Sequence, residues 1–474
     1  MLLPIPSPEE IQKSPRSLPE VVSQSLANAR ELDSLGAFVS LLEERALKQA
    51  SKAVAKLERG DGLPLFGYML AVKDNIAIQD EVLTCGSKIL GSYPATFSAT
   101  AIERLEAAGA VIIGKTNLDE FAMGSSTENS ALGPTLNPHN PERVPGGSSG
   151  GSAVAVAAGI CHAALGSETG GSVRQPAAFC GICGLKPTYG RVSRYGLVAF
   201  GSSLDQISPF ARTCDELYDV IKIISGADQR DATSSAKPVP KRKKLAKLER
   251  PLRIGLVMDF LEHEALLPSV AKAANDAIAA LKSAGHQLKE VKLQDVSFSI
   301  PVYYIVATAE ASSNLARFDG VRYGYRNAEA NDLASVYDMT RGSGFGAEVR
   351  RRIMMGTFVL SSGYYDAYYM TALKVRRKIA DEIMAALADV DVLLTPTTPS
   401  TAFKIGEKIN DPVSMYLSDI FTVPASLAGI PALSVPWSVD EDGLPIGMQF
   451  MSTHFSEELL LSAGTVLEDL RPLR

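Results

Sequence analysis

SATAIERLEAAGAVIIGKT runs from Ser98 to Thr116. SATAIERLEAAG reads as a helix that ends at Gly109. AVIIG follows it as a short continuous apolar strand, of the kind covered on both faces of a sheet. The same alternation recurs along the chain. LPLFGYMLAV (Leu63–Val72) has strand composition, Ser152 to Gly159 reads as a helix of small residues, and LRIGLVM restarts a strand. An amphipathic helix is expected from Tyr368 to Leu387, with VDVLLTPTTP as a strand after it. GIPALSVPWSVDEDGLPIGMQF reads as two strands joined at DEDG. Alternation over the whole length argues for one α/β layer structure rather than separate α and β domains.

Two segments stand apart. Residues 8–58 read as helices, opened by Ser7 as N-cap before Pro8-Glu9-Glu10. Residues 228–252 are polar, basic and proline-bearing, and read as a surface excursion. The expected organisation is therefore N-terminal helices over 1–60 packed on a single α/β domain over 61–474.

The chain has 474 residues, 46% hydrophobic and 21% charged, which is ordinary globular composition with ample length for a large core. A net charge of −6 argues against a surface that grips nucleic acid by broad phosphate neutralisation, although a partner protein can hold such a substrate. MLLPIPSPEEIQKSPRS lacks the apolar core of a secretory peptide and the Arg-rich character of a transit peptide. The longest small-apolar run, Ala153 to Leu165, is broken by His162 and falls short of the roughly 18 residues needed to span a bilayer. Five cysteines in so long a chain read as reduced thiols, and the expected compartment is the cytoplasm.

Several short motifs invite a function and fail on context. GAVIIGKT (Gly109–Thr116) fits the phosphate-binding G-x-x-x-x-G-K-[ST], but AVII wants to be a strand where that motif needs a loop. An ATP-binding enzyme acting through Lys115 is the corresponding alternative. GGSSG (Gly146–Gly150) fits a nucleophile elbow, yet a polar loop, NPHNPERVP, precedes it instead of a strand. None of the histidines available to it, His263, His286 or His454, has a telling neighbourhood. Ser234-Ser235-Ala236-Lys237 fits S-x-x-K but lies beside Pro238 in the polar excursion, where no helix is expected. Cys180-Gly-Ile-Cys183 is a single C-x-x-C with no second ligand pair, so buried thiols are expected and no metal site.

Three stretches remain: LAVKDNIAI around Lys73, PGGSSGGSAVAVAAG (Pro145–Gly159), and GSETGGSVRQPA around Ser172. Lys73 reads either as a strand-end lysine reaching solvent or as a lysine held in low dielectric, which loses its charge and serves as a base. Thr169-Gly170-Gly171-Ser172 reads either as a tight turn or as a loop aiming successive N–H groups at one point, with the serine as nucleophile. Ser148 and Ser149 can relay a proton without histidine, so any chemistry here is Ser-Lys rather than Ser-His.

Together with AFCGICGLKPTYGRVSRYGLVAF, these stretches resemble the amidase signature family over nearly the whole chain. FDGVRYGYR (Phe318–Arg326), RRIMMGTFVLSSGYYDAYY and SDIFTVPASLAGIPALSVP narrow the resemblance to the branch serving tRNA-dependent amidotransferases. The resemblance implies a mixed, twisted central β-sheet covered by helices on both faces. It implies Lys73 as base, Ser148 as bridging serine after a cis peptide bond, and Ser172 as acylated nucleophile. N–H groups around Thr169, Gly170 and Gly171 would form the oxyanion hole. Arg352 and Asp419 would bind the α-carboxylate and α-ammonium of glutamine, with Tyr303 nearby, as charge pairing also requires.

The implied activity is glutamine hydrolysis supplying ammonia, within a heterotrimer with B and C subunits. The product is used on misacylated Glu-tRNA(Gln) or Asp-tRNA(Asn), with ATP and Mg²⁺ in the partner and no cofactor in this chain. A free-standing amidase and a non-catalytic scaffold are the alternatives. The charge pair speaks against the first, the unbroken Lys73, Ser148, Ser172 set against the second. The sequence departs from the family pattern at Glu168, where Asp is common, at Ser426, where Asn is common, and in its short C-terminal LEDLRPLR.

Overall fold

Alternating apolar residues give each central strand two buried faces, and this decides where the helices go. In a strand, successive side chains point to opposite sides. Leu70, Val72 and Ile112 pack on one side with Ala101, Ile102, Leu105, Leu217 and Val220. Met69, Ala71, Val111 and Ile113 pack on the other with Val22, Leu26, Ala50 and the small residues Ala153 to Val156. The computed structural model, which describes residues 4–240 and 244–472, accordingly shows a sheet with helices on both faces.

The strands are β1 (Phe38–Leu41), β2 (Met69–Lys73), β3 (Val111–Thr116), β4 (Ala163–Glu168), β5 (Cys183–Lys186) and β6 (Gln206–Ala211). They continue with β7 (Arg253–Val257), β8 (Gln287–Val291), β9 (Val392–Pro396), β10 (Ala432–Val439) and β11 (Pro445–Met451). All join one sheet in the order β1-β3-β2-β4-β6-β5-β10-β11-β9-β7-β8. The β2 strand runs parallel to β3 and β4, and β7 parallel to β8 and β9, while the central pairs are antiparallel. The sheet is therefore mixed, as expected.

The helix before β3 spans Thr100–Ala107, the small-residue helix Gly150–Ala157, and the amphipathic helix Thr371–Asp389. One expectation is corrected. Residues 8–58 are not helical throughout, because β1 lies between helices Leu18–Glu31 and Glu43–Glu58 and pairs antiparallel with β3. The apolar run Ala37–Leu42 merges into the helical period that follows it; the open edge of β3 makes it a strand, since sheet formation depends on the neighbour as much as on the segment. The described part of 228–252 has no helix or strand, and Arg191 holds it through the carbonyls of Lys237 and Pro238 at 3.2 and 2.9 Å. No helix among the described residues is long and apolar enough to cross a membrane.

The helix Gly150–Ala157 can sit where it does only because its first two positions lack side chains. A Cβ on Gly151 would meet the Ala37 carbonyl oxygen at 2.5 Å and the Asn117 backbone at 2.6 Å. These are backbone atoms and cannot swing away. Gly151→Ala is expected to destabilise the protein by about 1–3 kcal/mol, read as a lowered denaturant midpoint with unchanged slope.

Candidate active site

Strand parity places Lys73 on the same side of β2 as Met69 and Ala71, toward the helix Gly150–Ala157. The loop that enters this helix carries two hydroxyls to the lysine. Lys73 Nζ lies 2.7 Å from Ser148 Oγ, 2.8 Å from Ser149 Oγ and 3.3 Å from the Ser167 carbonyl oxygen. Lys73 is fully buried and makes no ion pair among the described residues. Burial lowers its pKa to about 7, outweighing the opposing field of Asp119 and Asp205. Of the two local readings of Lys73, the buried one holds.

The Gly147–Ser148 peptide bond is cis. Its surroundings are fixed by hydrogen bonds from side chains far apart in sequence. Asp119 accepts from the N–H groups of Thr127 and Asn129 at 2.9 and 3.1 Å. Thr127 Oγ1 donates to the Gly146 carbonyl at 2.8 Å and accepts from the Gly150 N–H at 3.0 Å. Gln175 joins this loop to the next one: its Oε1 accepts from the Gly147 N–H at 2.9 Å, its Nε2 donates to the Ser125 carbonyl at 2.8 Å, and its own N–H donates to the Gly171 carbonyl at 2.9 Å.

That next loop, Thr169 to Val173, runs from β4 into the helix Arg174–Cys180 and carries Ser172, which is 8% exposed. Thr169 Oγ1 donates to Asp205 at 2.7 Å. The N–H groups of Gly170, Gly171 and Ser172 have no acceptor among the described residues. Successive unpaired N–H groups in one turn are what an oxyanion hole requires.

Two further side chains lie against the loop, and the charge of a third, Arg352, reaches both. A Cβ on Gly170 would lie 2.9 Å from Tyr303 Cζ, and one on Gly171 would lie 2.8 Å from Asp419 Oδ1. Asp419 Oδ2 accepts from Ser125 Oγ at 2.5 Å, while Oδ1 is buried without a hydrogen-bond partner among the described residues. Burial pushes the Asp419 carboxyl up to about 7, only partly opposed by Ser125 and by the more distant positive charge of Arg352. Arg352, from the helix Ala347–Val359, is buried and held by Glu348 Oε1 at 2.8 Å. Its guanidinium lies 5.2 Å from the ring centre of Tyr304 and 5.5 Å from that of Tyr416. Burial alone would lower its pKa, but the neighbouring Tyr304 and Glu348 reverse the sign and keep it charged. The structure thus sets Lys73 against Ser148, sets Tyr303 and Asp419 against Gly170 and Gly171 in the loop that runs from Thr169 through Ser172, joins the two serine-bearing loops through Gln175, and buries Arg352 where its charge reaches Tyr303 and Asp419. The sequence names Ser149 with Ser148 as a proton relay, but gives no sign of Ser125, Asp119 or Gln175.

The rejected motifs have ordinary explanations. The residues between Gly109 and Lys115 are strand, and Lys115 Nζ is buried against Asp74 Oδ1 at 2.5 Å. Each of the five histidines is hydrogen-bonded to a backbone group. Cys180 donates to the Pro145 carbonyl, whereas Cys183 meets Cys214 and Glu468, whose potential ligand atoms lie within 4.8 Å of one another. Cys183 donates to Glu468 Oε1 at 3.2 Å, and burial holds the Cys214 thiol well above its usual range, so the group reads as hydrogen-bonded thiols.

The family model for amidases matches residues 20–461. The chain belongs to the amidase family. This amidase is 53% identical over 454 residues to the A subunit of glutamyl-tRNA(Gln) amidotransferase from Sulfurihydrogenibium sp., an alignment covering 95% of this chain and 93% of that one. The crystal structure of the A subunit of glutamyl-tRNA(Gln) amidotransferase from Thermotoga maritima is similar at a TM-score of 0.79 and 41% identity, covering 98% of this chain and 95% of that chain. The peptide amidase of Stenotrophomonas maltophilia is similar at a TM-score of 0.78 and 29% identity, covering 95% and 93%.

The Lys73 shift has a consequence for stability. A lysine whose folded pKa lies near 7, against 10.5 when free, leaves the unfolded chain binding more protons between those values. Its contribution to stability therefore rises with pH across that window. Lys73→Met removes the titration. The stability of the variant relative to the parent is expected to fall by about 1.4 kcal/mol per pH unit from pH 7 upward, measured by denaturant unfolding at pH 7, 8 and 9.

Proposed function

We propose that this amidase is the glutamine-hydrolysing subunit of a tRNA-dependent amidotransferase. One observation carries the reading: Asp419, a buried carboxylate with one oxygen unpartnered among the described residues, lies against Gly171 of the loop that bears Ser172, and the buried guanidinium of Arg352 is near enough for its charge to act on Asp419. A simple neutral amide has no use for that pair. A free amino acid with an amide side chain has an ammonium for one and a carboxylate for the other.

Neutral Lys73 takes a proton relayed through Ser148 as Ser172 Oγ attacks the side-chain carboxamide of glutamine. The tetrahedral oxyanion rests on the N–H groups around Thr169, Gly170 and Gly171, in the loop that carries Ser172. The relay returns the proton to the leaving nitrogen, ammonia departs, and water cleaves the γ-glutamyl ester to give glutamate. Ammonia then passes to a B subunit, which activates Glu-tRNA(Gln), or Asp-tRNA(Asn), with ATP and Mg²⁺. A small C subunit completes a cytoplasmic heterotrimer. The names of the relatives and the net negative charge of this chain support that division of labour.

The test uses the protein purified gently from its own cells with partners bound, and measures ammonia from glutamine, asparagine and simple amides. Ser172→Ala is expected to lower glutamine hydrolysis by about 10⁴-fold or more. Asp419→Asn and Arg352→Ala are expected to raise KM for glutamine at least about 30-fold, the usual cost of removing one partner of a buried charge pair. Release from simple amides but not glutamine would point to a free-standing amidase. The pH profile separates the two titrating groups. Lys73 acts only when neutral and Asp419 binds an ammonium only when ionised, so both lose function as pH falls through about 7. Below that point kcat is expected to fall about tenfold per pH unit, through Lys73 alone, and kcat/KM about a hundredfold.

A further inference from the structure

The oxyanion reading requires the Gly170–Gly171 peptide to present its N–H, and nothing in two adjacent glycines ensures this. Without Cβ atoms on either side, such a peptide plane can turn over at little steric cost and aim its carbonyl at the developing negative charge instead. The structure shows what opposes that rotation. The Gly170 carbonyl oxygen accepts two hydrogen bonds, from Ser426 Oγ at 3.0 Å and from Arg174 Nη2 at 3.0 Å. Across a trans peptide bond the C=O and the following N–H point in opposite directions. Holding the Gly170 carbonyl on that side therefore turns the Gly171 N–H, which has no acceptor among the described residues, to the other.

Both donors are themselves immobile. Arg174 is fully buried, with Nε on Glu168 Oε1 at 2.7 Å, Nη1 on Gln449 Oε1, and Nη2 also on the Thr422 carbonyl at 2.8 Å. Glu168 Oε2 accepts from the N–H groups of Val173 and Arg174 at 3.0 and 3.1 Å, closing the loop around its own nucleophile. Ser426 comes from a separate element, the helix Val423–Ala428, and also accepts from Arg174 Nη2 at 3.2 Å. That helix follows directly on Asp419, whose carbonyl accepts from the N–H groups of Thr422 and Val423.

We propose that Ser426, acting with Arg174, fixes the orientation of the Gly170–Gly171 peptide and is a positioning residue for the oxyanion hole. The proposal rests on the assignment of Ser172 and its loop made above. Because the Gly171 N–H meets charge only in the tetrahedral state, loss of Ser426 reduces transition-state stabilisation and leaves glutamine binding intact.

The experiment compares Ser426→Ala, Ser426→Thr and Ser172→Ala in the partner-bound enzyme. It reads kcat and KM for glutamine, and the affinity of an amino acid bearing a boronic acid in place of the side-chain carboxamide, which forms a tetrahedral adduct with a serine. Glutamine binding is measured separately in Ser172→Ala with and without Ser426→Ala. The expected result is that Ser426→Ala lowers kcat and boronate affinity together, each about tenfold, with glutamine affinity within about twofold. Ser426→Thr, which keeps the hydroxyl, restores both. Unchanged kcat and boronate affinity in Ser426→Ala, with Ser172→Ala inactive, would overturn the proposal and leave the nucleophile assignment standing. An equal loss of glutamine and boronate affinity would overturn it as a general packing effect. Full activity in Ser172→Ala would overturn the underlying assignment and the proposal with it.

Discussion

A lysine amine shut away from water and facing hydroxyls is the constraint on which the site depends. Lys73 is fully buried with Ser148 and Ser149 against its nitrogen and no carboxylate paired to it among the described residues. A carboxylate in contact would hold the proton on the amine; burial without one lets the proton go near neutral pH. The contrast lies one strand away. Lys115 is as deeply buried as Lys73 but is paired with Asp74. Two buried lysines on adjacent strands thus differ in the presence or absence of one carboxylate partner among the described residues.

The second constraint is backbone geometry. The glycines around Ser148 and Ser172 remove the side chains that would obstruct a close approach, but they leave the peptide planes free to turn. Buried polar side chains from elsewhere restore the order. Asp119 and Thr127 brace the Ser148 loop, Gln175 ties it to the Ser172 loop, and Arg174 with Glu168 closes the latter. Each of these side chains finds backbone partners, so the network rigidifies the site while satisfying the groups that build it. Asp419 Oδ1, by contrast, has no hydrogen-bond partner among the described residues and lies close to Gly171.

Much of the scaffold was legible in the sequence because its signals are local. Helix and strand around Gly109, the small-residue helix after Ser149, and the β10–β11 pair all follow from periodicity and turn residues. The β1 strand was not, because the edge that makes it a strand belongs to β3, far along the chain. Lys73 could not be decided from its neighbours: LAVKDN says strand, and only the packing of Gly150–Ala157 says buried. Tyr303, Arg352 and Asp419 sit on three distant elements with no shared local pattern, so they entered through family resemblance alone. Gln175 and Ser125 had no signal of either kind, since their importance lies in which loops they join. Glu168 and Ser426, visible in sequence only as two departures from a pattern, meet in space at one guanidinium and one side of the oxyanion loop.

The central claim is that Lys73 is neutral under working conditions because it is buried without a counter-charge. The most direct measurement is the titration of that one amine, by NMR of protein labelled with ¹³C at lysine Cε, with the signal assigned by its loss in Lys73→Arg. A midpoint near pH 7 is the result the account predicts. A midpoint near 10.5, the value of a free lysine, would mean the amine stays charged and would remove Lys73 from the role of base.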